Sequence, residues 1–246
     1  MRNVKAVFKK QLKGTLRSPE ILIQFIMFPL IAFLMNVIMV TDFEGVPYDI
    51  AEMLKANMPN MVTMQASIFA GMGLIMAMSG IVSQDIENKS LRFLTMAGVK
   101  PMSYLIGVSG VIFLVSFCTS VAFAFIGEFS GADFWIFTAA MMSAVAGSIV
   151  VAATLGILAG SQESASGLSL PIALILGFGP MMAQFNDTLA RYLHIFYTQQ
   201  LNVVANYLTA GGGDTPLWQS FVIMWANVAV LAMVFAVVYA KKGIKG

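Results

Sequence analysis

Charge is scarce in this 246-residue chain. Only 11% of its residues are Asp, Glu, Lys or Arg, whereas 59% are hydrophobic and the mean hydropathy is +0.83. A soluble domain typically carries about 25% charged residues, so the composition favours a membrane protein. The chain also has one cysteine, Cys118, and one histidine, His194. A disulfide or a cysteine metal cluster within one chain is therefore excluded, and we expect no metal site.

Charge is absent altogether from six stretches that are each long enough for a helix to cross a hydrocarbon core of about 30 Å. Continuously apolar runs are typical of helices rather than of barrel strands, so we predict an all-α membrane protein. The spans would cover about residues 20–40, 61–83, 102–127, 134–160, 165–185 and 216–240 of a single domain, 1–246. The first run is too long for a cleaved signal peptide, and we expect it to be a span. Pro171 and Pro180 predict an irregular fifth span.

Basic residues indicate how these spans are oriented. Six of the 14 lie within residues 1–18, three within 85–101 and three within 241–245, all on the side of both termini. Only Lys55 and Arg191 fall on the other side. By the positive-inside rule, both termini are predicted to be cytoplasmic in a plasma (inner) membrane.

Three segments outside the spans have helical patterns. Residues 1–18 place apolar and basic residues on opposite faces, which predicts an amphipathic interfacial helix. Residues 85–97, with Ser83 or Asp85 as a cap and Gly98 and Pro101 at the end, predict a short cytoplasmic helix. Residues 187–210 are too polar for a span, and we expect short helices that enter or rest on the outer leaflet.

Two further absences concern the source of energy. The chain contains no G-x-x-x-x-G-K-[ST] phosphate loop, so any ATP would be bound by another polypeptide. No ionisable residue lies in the middle of a predicted span, whereas proton- and sodium-coupled carriers commonly place one there. An ion-coupled carrier or channel is therefore less favoured than a transport protein that uses ATP bound by another polypeptide.

Two short motifs would fit an intramembrane protease instead. GVSG at 107–110 offers Ser109 as a nucleophile, and His194 is its only possible histidine partner. A serine–histidine dyad needs direct hydrogen-bond contact, but the predicted topology puts these residues on opposite leaflets. GGGD at 211–214 and YD at 48–49 resemble an aspartyl pair, yet both lie in predicted outer loops. We therefore expect no enzymatic activity in this chain.

The stretch IENKSLRFLTMAGVKP, residues 86–101, resembles the loop between spans two and three in permease subunits of ABC type-2 exporters. In that family a glutamate is followed by Gly-Thr-Leu, a further leucine and a proline. Glu87, Leu91, Leu94 and Pro101 match, whereas Lys89 and Ser90 replace Gly-Thr. The order of elements also matches: a basic interfacial helix, six spans, a cytoplasmic coupling helix between spans two and three, and short re-entrant helices before span six.

The resemblance implies an export mechanism with separate ATPase subunits. Two permease subunits, forming a homodimer or a heterodimer, would each dock one ATPase subunit, which binds ATP and Mg. It implies no cofactor in this chain, membrane lipid as a partner and no nucleic-acid partner. The residues implied to transmit ATPase movement are Asp85, Glu87, Leu91, Arg92, Leu94 and Met96. Those implied for the interface helix are Lys5, Phe8, Lys9, Leu12, Lys13 and Arg17.

The cargo path is implied to run along spans one, two and five. Its candidate residues are Phe25, Phe28, Met35, Met64, Met72, Phe178 and Met181. An uncharged interior rich in methionine and phenylalanine favours an amphipathic or hydrophobic cargo. We expect a peptide first, with a lipid or a drug as alternatives.

Overall fold

The computed structural model describes residues 2–15, 17–41, 47, 50, 61–90, 93, 96, 101–210, 212 and 215–242. No strand occurs among them. The helices are α1 (Arg2–Thr15), α2 (Pro19–Thr41), α3 (Met61–Glu87), α4 (Pro101–Ile126), α5 (Gly131–Ala159), α6 (Gln162–Ala183), α7 (Asp187–Leu193), α8 (Tyr197–Ala210) and α9 (Leu217–Lys242). A π-helical turn, Phe69–Gly73, interrupts α3.

Six of these helices, α2 to α6 and α9, are long and apolar enough to cross a membrane. The predictions of an all-α chain and of six candidate spans are therefore confirmed for the described residues. The fifth of them, α6, runs as one helix through both Pro171 and Pro180. The two prolines had predicted an irregular span at this point.

The helices alternate in direction, which gives the bundle two ends. At the end we call the junction end, the carboxylate of Glu87 in α3 meets the first residue of α6, Gln162. At the opposite end, the Asn36 side chain of α2 donates to the Ile126 carbonyl at the end of α4, over 3.1 Å. We call this the hairpin end, because α6 leads there into α7 and α8.

The core lies between α3 and α5, the two spans with the largest buried share. Small residues allow their close approach: a Cβ on Gly156 of α5 would lie 2.8 Å from Cβ of Val82 and 2.9 Å from the Ser79 carbonyl oxygen of α3. By contrast, α2 and α9 lie at the periphery and expose most of their apolar side chains. A bundle with an apolar exterior of this kind suits a lipid environment.

Helix α1 packs along α4 rather than standing apart from the bundle. Val7 is buried against Gly107, where a Cβ would approach the valine side chain to 2.7 Å, and Phe8 lies over Gly110. On its other face, Lys9, Lys10 and Lys13 are exposed. The amphipathic pattern of residues 1–18 is thus matched by a helix with one packed and one basic face.

The predicted start of a helix at Asp85 is wrong. Ser83 does not cap a helix but donates to the Gly80 carbonyl within α3, over 3.0 Å, and Asp85 lies in the last turn of the same helix. The chain turns at Asn88 and Lys89, where Lys89 has φ +55°, and is helical again at Ser90, Phe93 and Met96. Helix α3 continues through its polar end because neighbouring helices supply partners for its carboxylates. Leu91, Arg92 and Leu94 lie outside the described residues.

Candidate functional site

Asp85 joins three helices at the junction end. Its carboxylate accepts a hydrogen bond from Gln11 Nε2 of α1, at 2.6 Å, and another from the Tyr104 hydroxyl of α4. Tyr104 is almost fully buried. Hydrogen bonds to an ionised group are stronger than neutral ones, so Asp85 links the last turn of α3 to the first turns of α4 and to α1.

Glu87 reaches a fourth helix. Its Oε2 atom accepts a hydrogen bond from the backbone N–H of Gln162, at 2.9 Å. Gln162 is the first residue of α6, and Ser161 caps that helix by accepting from the Ser164 N–H. The first N–H groups of a helix lack intrahelical partners and attract negative charge. Glu87 is therefore a second, external cap for α6.

These contacts form one site, which we call the carboxylate junction: Gln11, Asp85, Glu87, Tyr104 and Gln162. Two carboxylates separated by one residue hold α3 to α1, α4 and α6. The segment that follows the junction exposes two large apolar side chains, since Phe93 is 68% exposed and Met96 78%. The carboxylate junction is thus followed in the chain by two exposed apolar side chains, Phe93 and Met96.

The predicted residues of the interface helix divide between the two faces of α1. Phe8 and Leu12 are half-buried, whereas Lys9 and Lys13 are exposed. Arg17 is also exposed but follows the end of α1 at Thr15. The side chain of Lys5 lies outside the described part of the chain. The structure therefore brings α1 to the carboxylate junction through Gln11, a residue that the sequence analysis had not selected.

The predicted cargo-path residues lie on α2, α3 and α6, and most of them are half-buried. The rings of Phe25 and Phe28 meet Phe69 at centroid distances of 5.4 and 5.8 Å. The side chain of Gln65 donates to the sulfur of Met35, at 3.6 Å.

Met72 packs where α3 crosses α6, since a Cβ on Gly177 would lie 3.0 Å from its Cβ. Met64, Phe178 and Met181 are also half-buried on these helices. Phe25 lines a cavity of about 430 Å³ between α2 and α4.

Two further apolar cavities open beside α5. One, of about 450 Å³, lies between α4, α5 and α9 and is lined in part by Ser109 and Phe235. The other, of about 370 Å³, lies between α5, α6 and α9 and is closed on one side by Phe196 and Tyr197. Their linings are mainly aliphatic, which suits acyl or apolar side chains rather than charged groups.

The structure separates the two residues of the candidate protease dyad. Ser109 lies little more than one turn beyond Tyr104, near the junction end. His194 follows α7 at the hairpin end, beyond the far end of the 22-residue helix α6. At a rise of about 1.5 Å per residue, α6 alone spans about 33 Å. A direct hydrogen bond between these two side chains is incompatible with this arrangement.

A buried group of hydrogen-bonded polar atoms lies near the middle of the bundle and was not predicted from the sequence. Ser148 Oγ of α5 is 2.6 Å from the carbonyl oxygen of Ala70 in α3 and 3.0 Å from the hydroxyl of Tyr197 in α8. The one sequence signal was the polar content of residues 187–210, which include Thr198, Gln199, Gln200 and Asn202. Serines within α5 gave no sign of which one would contact another helix.

Comparison of the chain with protein-family models and with curated proteins finds no match.

Proposed function

We propose that this chain is the membrane-spanning permease subunit of an ATP-driven exporter of the ABC type-2 kind. A separate ATPase subunit binds ATP and Mg and supplies the energy, and the chain itself catalyses no reaction. The observation that carries the proposal is the carboxylate junction, which ties four helices together directly beside an exposed apolar segment.

The junction provides a means of transmission. A displacement applied to the segment after Glu87 moves the last turn of α3, and the bonds of Asp85 and Glu87 carry α1, α4 and α6 with it. Partner binding shifts a two-state equilibrium only through contacts that differ between the states. A rigid connection between the docking segment and several spans meets this requirement.

The docking surface for the ATPase consists of Phe93 and Met96, whose side chains are largely exposed. Large apolar side chains that are exposed outside the spans are typical interface residues. The lysines of α1 face the cytoplasmic lipid headgroups, and both termini lie on that side. Two permease subunits, identical or different, each dock one ATPase copy in the inner membrane.

The cargo is an amphipathic or hydrophobic molecule, with a peptide favoured over a lipid or a drug. The uncharged methionine and phenylalanine side chains of α2, α3 and α6 provide an adaptable apolar surface for it. At the hairpin end, α7 and α8 enter the outer leaflet as a re-entrant pair. This placement is supported by Tyr197, which contacts Ser148 near the middle of α5.

Co-purification with a Walker-motif ATPase, followed by transport in proteoliposomes, tests the proposal. We expect ATP-dependent movement of an apolar peptide, which stops when the phosphate-loop lysine of the ATPase is replaced. Transport that persists without ATP or without an ATPase would instead support the channel or ion-coupled carrier. Cleavage of a membrane peptide that is lost in Ser109→Ala would support the protease.

A further inference from the structure

Ser148 stands between two segments that are far apart in sequence. Its hydroxyl contacts the Ala70 carbonyl of α3, 78 positions away, and the Tyr197 hydroxyl of α8, 49 positions away. The three residues are fully or almost fully buried. Gly147 lets the tyrosine ring approach α5, because a Cβ there would lie 3.1 Å from the ring.

The direction of these hydrogen bonds follows from the number of protons. The Ser148 hydroxyl has one proton and two carbonyl acceptors within reach, Ala70 O at 2.6 Å and Ala144 O of its own helix at 3.2 Å. The shorter distance assigns the proton to Ala70. Tyr197 then donates its own proton to Ser148, since the serine has no second one to give.

The same geometry offers Ser148 a second position. If the π turn of α3 moves away from α5, the Ser148 hydroxyl can rotate to Ala144 O, as serines in helices commonly do. The Ser148 hydroxyl then still donates to a carbonyl oxygen, so the movement does not leave this buried donor without an acceptor. Tyr197 keeps its acceptor in both positions. Separation of α3 from α5 is therefore less costly here than at an ordinary buried hydrogen bond.

The α3 segment at this point is suited to movement. Ala70 belongs to the π turn Phe69–Gly73, and such turns are frequent at functional positions in helices. Gly71, next to it, contacts the backbone of Leu176 and Gly177 in α6 so closely that a Cβ would overlap it. A shift of the π turn therefore also changes the contact of α3 with α6.

We propose that Ser148 is a two-position hydroxyl switch that couples the π turn of α3 to the α7–α8 hairpin. Displacement of α3 at the junction end changes the acceptor of Ser148. The reoriented hydroxyl still accepts from Tyr197, but its lone pairs point in new directions, so the geometry of the bond that holds Tyr197 at the tip of the hairpin changes. Ser148 and Tyr197 are thus positioning residues for the step in which the outer side opens. This inference deepens the proposed function and rests on it for its role in transport.

Hydrogen–deuterium exchange of the full chain in nanodiscs tests the coupling without any ATPase. Ser148→Ala removes the link, so exchange should rise about fivefold, as expected for the loss of one net hydrogen bond, both in 69–75 and in 197–201. Tyr197→Phe removes only the outer contact and should accelerate 197–201 alone. Ser143→Ala is the matched control, because Ser143 is buried on the same helix and, within the described part of the chain, bonds only Ala139 O of that helix. Equal exchange in the Ser148 and Ser143 variants would overturn the switch.

Transport with the ATPase partner tests its role. We expect Ser148→Ala to retain basal ATP hydrolysis and ATPase binding but to move less cargo per ATP, whereas Ser143→Ala behaves as wild type. An unchanged ratio of cargo to ATP would overturn the positioning role. If exchange shows the coupling but no ATPase associates with the wild-type chain, the proposed function fails while the physical link stands.

Discussion

Gln11 and Asp85 are 74 positions apart in the sequence, and their side chains meet at 2.6 Å. The contact places the amphipathic helix α1 against the last turn of α3. Asp85 also accepts from Tyr104, so one carboxylate holds α1, α3 and α4 together at the junction end. Glu87 adds α6 to this group. The bonds of the two carboxylates make the end of α3 a connection between spans rather than a free loop.

Replacement of Asp85 by alanine should destabilise the fold. The variant leaves the buried Tyr104 hydroxyl and the Gln11 amide without their acceptor, and hydrogen bonds to charged groups contribute about 1.5–3 kcal/mol each. We expect the free energy of unfolding in nanodiscs to fall by about 3–6 kcal/mol for the two bonds together. Asp133→Ala is the control, because Asp133 is an exposed carboxylate in the first turn of α5. Addition of Tyr104→Phe should cost less in the Asp85→Ala background than in wild type, and full additivity would contradict the contact.

Reversal of charge at Glu87 should impair transmission with little loss of ATPase binding. In Glu87→Lys the cap on Gln162 is lost, and a positive charge lies at the positive end of α6. We expect cargo-stimulated ATP hydrolysis in proteoliposomes to fall about fivefold or more, the lower range of typical coupling free energies. Glu163→Lys makes the same change in the first turn of α6, at an exposed residue. Equal effects of the two variants would show that α6 responds to local charge alone.

The all-α fold and its six candidate spans could be predicted from the sequence, because each span is a continuous apolar run. The length and hydropathy of such a run are enough to predict a helix without knowledge of tertiary contacts. It failed at residues 83–87 because Ser83 and Asp85 are typical caps. A cap pattern cannot show that Gln11, Tyr104 and Gln162 will satisfy an acidic helix end. Glu87 was selected from the sequence and lies in the carboxylate junction, but its partner at the start of α6 depends on which helices become neighbours. The Ser148 contacts depend on tertiary packing in the same way.

Polar substitutions at the exposed segment after the junction should weaken ATPase binding without destabilising the fold. Phe93 and Met96 are largely exposed, so Phe93→Ser and Met96→Ser remove little packing within the chain. A central interface residue contributes about 2 kcal/mol or more, so we expect the dissociation constant of the ATPase to rise about thirtyfold in each of the two variants. Phe185→Ser is the matched control, because Phe185 is 79% exposed at the hairpin end. Unchanged binding, measured with the chain immobilised in nanodiscs, would place the ATPase elsewhere.

A methyl group at Gly71 should separate α3 from α6. The added Cβ in Gly71→Ala would overlap backbone atoms of Leu176 and Gly177, and backbone cannot rotate aside as a flexible side chain does. Overpacking of this kind typically costs about 1–3 kcal/mol, so the midpoint of thermal unfolding should fall. Gly80→Ala is the control on the same helix, since no atom lies within 4 Å of its added Cβ. There, alanine should be neutral or stabilise α3 by up to about 1 kcal/mol through its helix propensity. If both variants unfold at the same temperature, the close approach of α3 and α6 at the π turn is wrong.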